Sequence, residues 1–121
     1  MNEEQVIRGQ LEQWAIGRGL AFQTYEHWDA LASRALLQDS AGDIYEFWAA
    51  PESLGARVGV GLVKRGSSKH HALRRERAQY SHCEDIPITQ ILQALESCLS
   101  KARSWVETSG HELPSNATAG A

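Results

Sequence analysis

Hydrophobic positions recur along this chain with two different periods, and the switch between them lays out its elements. Near the N-terminus Val6, Ile7, Leu11, Trp14 and Ala15 return at helical spacing, the pattern of a helix that buries one face. Asn2 is placed to cap it, Glu3 and Glu4 suit its positive end, and Gly17 and Gly19 are residues able to leave a helix with positive φ. From Leu20 the period shortens to two. Leu20–Trp28, Leu31–Gln38, Ile44–Ala50 and Arg57–Lys64 read as strands, with Asp39-Ser40-Ala41-Gly42-Asp43 as a turn cluster and Pro51–Gly55 as a break. Within Ile44–Ala50 the alternation sets Tyr45 and Phe47 on one face and Ile44, Glu46 and Trp48 on the other. In the next strand Val58, Val60 and Leu62 oppose Gly59 and Gly61.

Gly66-Ser67-Ser68 predicts a hairpin whose second arm is His70–Tyr80. The composition of His71–Gln79 also suits a helix, but the adjacent hairpin signal favours a strand. The closing helix is predicted at Ile86–Val106, with Asp85 as cap, Pro87 in the first turn, and Ile88, Ile91, Leu92, Leu95, Leu99, Ala102 and Trp105 as its apolar stripe. Residues 1–107 thus form a single α+β domain, followed by a flexible C-terminal tail at 108–121. The expected fold is a two-layer sandwich: N-terminal helix, four- to five-stranded antiparallel sheet, C-terminal helix. Both helices lie on one face of the sheet. The other face is left open, and Glu46 and Trp48 are candidates for it.

Composition changes this picture little, whereas charge changes it more. At 121 residues, 42% hydrophobic and 22% charged, the chain is an ordinary globular domain. The acidic N-terminus and the absence of a long apolar run predict a cytoplasmic protein without a membrane span. The formal charge of −3 conceals a segmental split. Residues 1–50 hold three basic and eight acidic side chains, a net −5; residues 51–82 hold seven basic and two acidic, a net +5; the remainder is −3. Fields of this kind steer partners and say little about fold.

Candidate chemistry is sparse. His70, His71, His82 and Cys83 fall within a short span, but neighbours on a strand point to opposite faces, so each adjacent pair offers one ligand and no metal site is expected. Cys83 and Cys98 lack an activating context and are expected as two reduced thiols, Cys98 in the core. No nucleophile elbow and no phosphate-cradling glycine motif is present. The expectation is a non-enzyme with no cofactor. The basic run 64–77 on one hairpin could follow a phosphate backbone, yet the domain is acidic overall and no aromatics interleave with that run. A protein partner suits the residues better. Glu26, Asp29, Asp43 and Glu46 are the acidic groups expected to meet a basic surface, with Trp48 as the apolar contact.

In size, acidity and layout, with a capped helix at Asn2–Ile16, strands across Leu20–Tyr80 and a helix at Ile86–Val106, the chain resembles small bacterial toxin-immunity proteins, including those of contact-dependent growth inhibition systems. The resemblance implies a cytoplasmic protein that binds a cognate toxin domain, frequently a cationic nuclease, and blocks its active site or substrate groove. It carries over no functional residue by position, and the basic block Arg57–Arg77 departs from the uniformly acidic surface common among nuclease inhibitors. Two alternatives stand beside it. A type III secretion-type chaperone is also small and acidic, but has a dimer-forming helix between its strands, for which Pro51–Ala56 is too short. A nucleic-acid-binding regulatory module would use the basic hairpin 64–77.

Overall fold

The computed structural model describes residues 3–27, 30–40, 42–64 and 80–108. Helix α1 (Glu3–Gly17) is followed by strands β1 (Ala21–His27), β2 (Ala30–Gln38), β3 (Ile44–Glu52), β4 (Gly55–Lys64) and β5 (Ser81–Ile86), a 3₁₀ turn at Ile88–Gln90, and helix α2 (Ile91–Thr108). The strands form one antiparallel sheet in sequence order, β1 to β5. This is the expected α+β fold.

α1 ends where the glycines predict, by an identifiable device. Gly19 adopts φ 71°, the Leu20 amide donates to the Ala15 carbonyl at 2.8 Å and the Gly19 amide to Ile16 at 3.1 Å. This Schellman closure turns the chain through a left-handed residue, and buried Leu20 and Ala15 supply its hydrophobic contact. The turn aims β1 back across the face that α1 covers.

Both helices pack on the same sheet face. Ile7, Leu11, Trp14 and Ala15 of α1 and Ile91, Ala94, Leu95, Cys98, Leu99, Ala102 and Val106 of α2 share one buried cluster with Ala35, Leu37, Tyr45, Phe47, Val58, Val60 and Leu62. Each fully buried leucine or isoleucine stabilises by roughly 1.5–3 kcal/mol, more than the helix propensity of any single residue, so packing holds these helices. The predicted stripe on α2 is rotated slightly. Ala94, Cys98 and Val106 are inside, Leu92 is 47% exposed, and Trp105 lies at the rim, its ring 6.1 Å from that of Tyr45 and 5.7 Å from that of Tyr80. The helices are also clipped together at their ends, where Glu96 accepts from the Trp14 indole (3.3 Å) and Arg18 Nε (2.8 Å).

Three expectations need correction. Pro51 does not break its strand: β3 runs to Glu52, and only Ser53 and Leu54 form the turn, with Leu54 97% exposed. Asp85 is not a helix cap. It lies on β5 opposite Arg57, and Pro87 precedes a 3₁₀ turn with no side-chain capping bond. The fifth strand is Ser81–Ile86, a stretch in which the sequence predicts no strand because His82-Cys83-Glu84-Asp85 is too polar for the usual strand pattern. It is stable as a strand because it is an edge, with half of its side chains facing solvent. Asn2, the hairpin at Gly66–Ser68 and the arm His70–Gln79 lie outside the described residues, as does the tail beyond Thr108.

Candidate partner-binding site

The open face of the sheet is organised around Trp48. Trp48 pairs with Gly59 on β4, and its indole occupies the space where a side chain at that glycine would begin. A Cβ at Gly59 would stand 2.6 Å from ring atom Cε2, well inside contact distance, so only glycine lets the ring settle there. The missing side chain is thus the seat of the tryptophan. In the adjoining row Arg34 on β2 reaches in both directions, donating from Nε to Gln23 Oε1 (3.1 Å) and from Nη1 to Glu46 Oε2 (2.8 Å).

Between β2 and β3 the sheet forks. Their ladder runs from Gln38–Ile44 to Ala35–Phe47 and stops there. Beyond that point, among the described residues, β2 continues to Ala30 paired only with β1, while β3 continues to Glu52 paired only with β4. The gap holds a cleft of about 350 Å³, walled by Ala32 and Ser33 on one side and by Trp48, Ala49, Ala50 and Pro51 on the other. Glu46 closes its inner end, and Glu4, Ile7 and Arg8 of α1 form its roof.

Strand alternation shows which main-chain groups face this gap. The Leu62 amide donates to the Tyr80 carbonyl at 3.0 Å, so Leu62 turns its main chain toward β5. Successive residues alternate, so Gly61, Gly59 and Arg57 turn theirs toward β3. Their partners Glu46, Trp48 and Ala50 are therefore hydrogen-bonded to β4. Phe47, Ala49 and Pro51 point the other way, toward β2. Phe47 meets Ala35, but Ala49 and Pro51 lie beyond the end of that ladder. By the same alternation Ser33, two residues before Ala35, turns its main chain into the gap from the opposite wall. Among the described residues neither Ser33 nor Ala49 has a strand partner there. Pro51 fits this reading, because a residue without an amide hydrogen is tolerated in a sheet where its nitrogen faces no neighbouring strand.

Two of the five sequence-predicted contact residues meet here. Glu46 and Trp48 both line the cleft. Glu46, however, is already paired with Arg34, so it offers a shared rather than a bare carboxylate. Asp43 is corrected outright as a surface contact. It is 1% exposed, and its amide donates to Asp39 Oδ1 (2.9 Å) while its carbonyl accepts from the Asp39 amide (3.0 Å). Those bonds close the β2–β3 turn, which is a structural duty of its own. Glu26 is placed on β1 opposite Leu31, and Asp29 lies outside the described residues. The small residues that make the cleft, Ala32, Ser33, Ala49 and Ala50, drew no attention in the sequence. The proline at position 51 inside a strand was the one available signal.

Elsewhere the polar groups serve structure. Arg57 donates to both oxygens of Asp85 (2.7 and 3.3 Å) and also lies 3.4 Å from Glu52. The Arg57 hydrogen bond holds the Asp85 carboxyl below its ordinary range. The basic block therefore begins with a cation tied to two acids. His82 and Glu84 pair at 2.8 Å on the helix-facing side of β5, whereas Cys83 is exposed on the other side. Cys98 is buried, and burial, with smaller contributions from Glu84 and Cys83, pushes its thiol up to about 12, far from any nucleophilic range. Among the described residues no three metal-ligating side chains converge, and no helix is long and apolar enough to cross a membrane.

These features define an α+β sandwich with a forked sheet and an aromatic lip. Compared with known proteins, the chain matches no family model, no curated protein and no solved structure.

Proposed function

We propose that the chain is a non-enzymatic protein-binding module, and that it acts as an immunity protein, binding and neutralising a cognate bacterial toxin domain in the cytoplasm. The observation that carries the binding reading is the forked cleft with Trp48 at its lip. A partly buried tryptophan seated on a glycine presents a rigid apolar face, the kind of group that dominates binding energy at protein interfaces. The immunity reading adds the small size, the net −5 charge of residues 1–50 and the order of elements. An acidic surface speeds encounter with a cationic partner and adds less to final affinity.

The test is protection. The toxic C-terminal domain of a large secreted protein encoded beside this chain is expressed in cells with and without it. Survival that requires the chain, together with a complex isolated from the purified proteins, is the expected result. Trp48→Ala is expected to weaken that complex by about 2 kcal/mol, near thirtyfold. A toxin that kills equally in the presence of the chain, or a neighbourhood with no such protein, overturns the immunity reading.

A further inference from the structure

We infer that the fork between β2 and β3 is a strand-capture site: it takes an extended segment of the partner protein, which inserts between the two strands and completes the sheet. This deepens the protein-binding reading above and rests on it.

The inference begins with hydrogen-bond complementarity. The amide and carbonyl of Ser33 on one wall and of Ala49 on the other, with the Pro51 carbonyl beyond, line the gap without a strand partner among the described residues. Two facing rows of main-chain donors and acceptors are matched by one kind of ligand, another extended main chain. A globular surface or a small planar molecule would satisfy one row at most. Water hydrates such edges in the free protein, so the gain on binding comes from pairing both walls at once while excluding that water.

Side-chain size makes the same case. Ala32, Ser33, Ala49 and Ala50 are the strand residues nearest the gap, and none projects far into it. An inserted strand alternates its side chains between the two sheet faces. On one face its residues would meet Ile7, and on the other the edge of Trp48. Small or apolar residues therefore suit both sets of positions. The charged groups of the lining are already paired, Glu4 with Arg8 at 3.5 Å and Glu46 with Arg34 at 2.8 Å, so the cleft asks for no charge in the segment. The occupant is thus an extended peptide with small or apolar residues in the stretch that inserts.

The proline at 51 also shows how to test this without breaking the fold. Ala49 shares the orientation of Pro51, so Ala49→Pro removes the free donor in the gap and leaves every β3–β4 bond in place. Ala32→Phe on the opposite wall fills the gap instead. A displayed library of random dodecapeptides is selected on the full chain, and the recovered peptides are bound to the protein in solution. Expected are peptides of small and apolar residues, slowed hydrogen exchange at the Ser33 and Ala49 amides, and affinity reduced about tenfold or more in each variant, each of which keeps the parental circular dichroism. If Ala49→Pro does not fold, Ala32→Phe and the exchange pattern decide. Peptides that bind both variants unchanged, that protect the β5 edge instead, or that are never enriched overturn the inference. Failure here is separable from failure of the immunity reading. A chain that gives no protection yet captures strands in the fork loses only the toxin. A chain that protects, in a complex indifferent to both variants, loses only the fork.

Discussion

Gly59 and the two cysteines show how much single residues carry in this domain. Gly59 has no strained backbone; its importance lies in the space above it, which the Trp48 ring occupies. Gly59→Ala must therefore lift the indole. It is expected to destabilise the fold by roughly 1–3 kcal/mol, the usual cost of overpacking, and to shift tryptophan emission to the red as the ring meets more water. An unchanged spectrum and melting curve would show that Trp48 does not rest there. The cysteines differ in the same physical way. Cys98 keeps its proton to about pH 12 in the folded chain because burial disfavours the thiolate, whereas its ordinary value is 9.0. With the folded value raised, the unfolded state loses its proton first, so the contribution to stability is whole below about pH 9 and declines as pH rises from 9 toward 12. Denaturant melts in that window are expected to show a loss of stability that Cys98→Ala removes. Cys83, exposed on β5, is expected to react with a thiol reagent at neutral pH while Cys98 does so only on unfolding.

At the scale of elements, the sharpest determinant is the end of α1. Gly19 at φ 71° allows both Schellman bonds, and those bonds set the direction in which β1 starts. Gly19→Ala puts a Cβ on a left-handed residue and is expected to cost about 1 kcal/mol in chemical denaturation. The substitution leaves the core intact, so a much larger loss would mean that the turn also positions the β1–β2 hairpin over the sheet. That hairpin is one wall of the fork. β3 makes the complementary point. Its first half is an interior strand, paired on both sides, and its second half is an edge. Phe47 marks the boundary, and Pro51 is accommodated only on the edge side.

For the whole molecule, the arrangement of layers explains where binding can occur. Two helices cover one sheet face and bury its aromatic and aliphatic residues, so the surface left open is the opposite face and the fork that leads into it. The charge split has a narrower meaning than the totals suggest. Asp43 is buried in the β2–β3 turn, Glu46 is paired with Arg34, and Arg57 with Asp85 and Glu52. Much of what reads as opposing surfaces is internal pairing across strands, where an exposed pair stabilises little but sets local register. On α1, Glu3, Glu4 and Glu12 still outnumber Arg8.

Periodicity was enough to determine the helices, four of the strands and the side of the sheet that faces the core, because a helix or strand with one buried face must repeat its apolar residues at 3.6 or 2. Tyr45, Phe47, Val58, Val60 and Leu62 are all buried on the parity that the alternation assigns them. The glycine stop of α1 was legible for the same local reason. β5 was not, because an edge strand buries so little that His82-Cys83-Glu84-Asp85 carries no apolar period. The site was half legible. Trp48 and Glu46 stand out by residue type and parity, but the cleft is a gap between Ser33 and Ala49, and a gap has no residue to announce it. Where a ladder ends depends on how the β1–β2 hairpin twists away from β3 under α1. That is a competition between pairing and packing over residues far apart in sequence, and only the tertiary structure decides it.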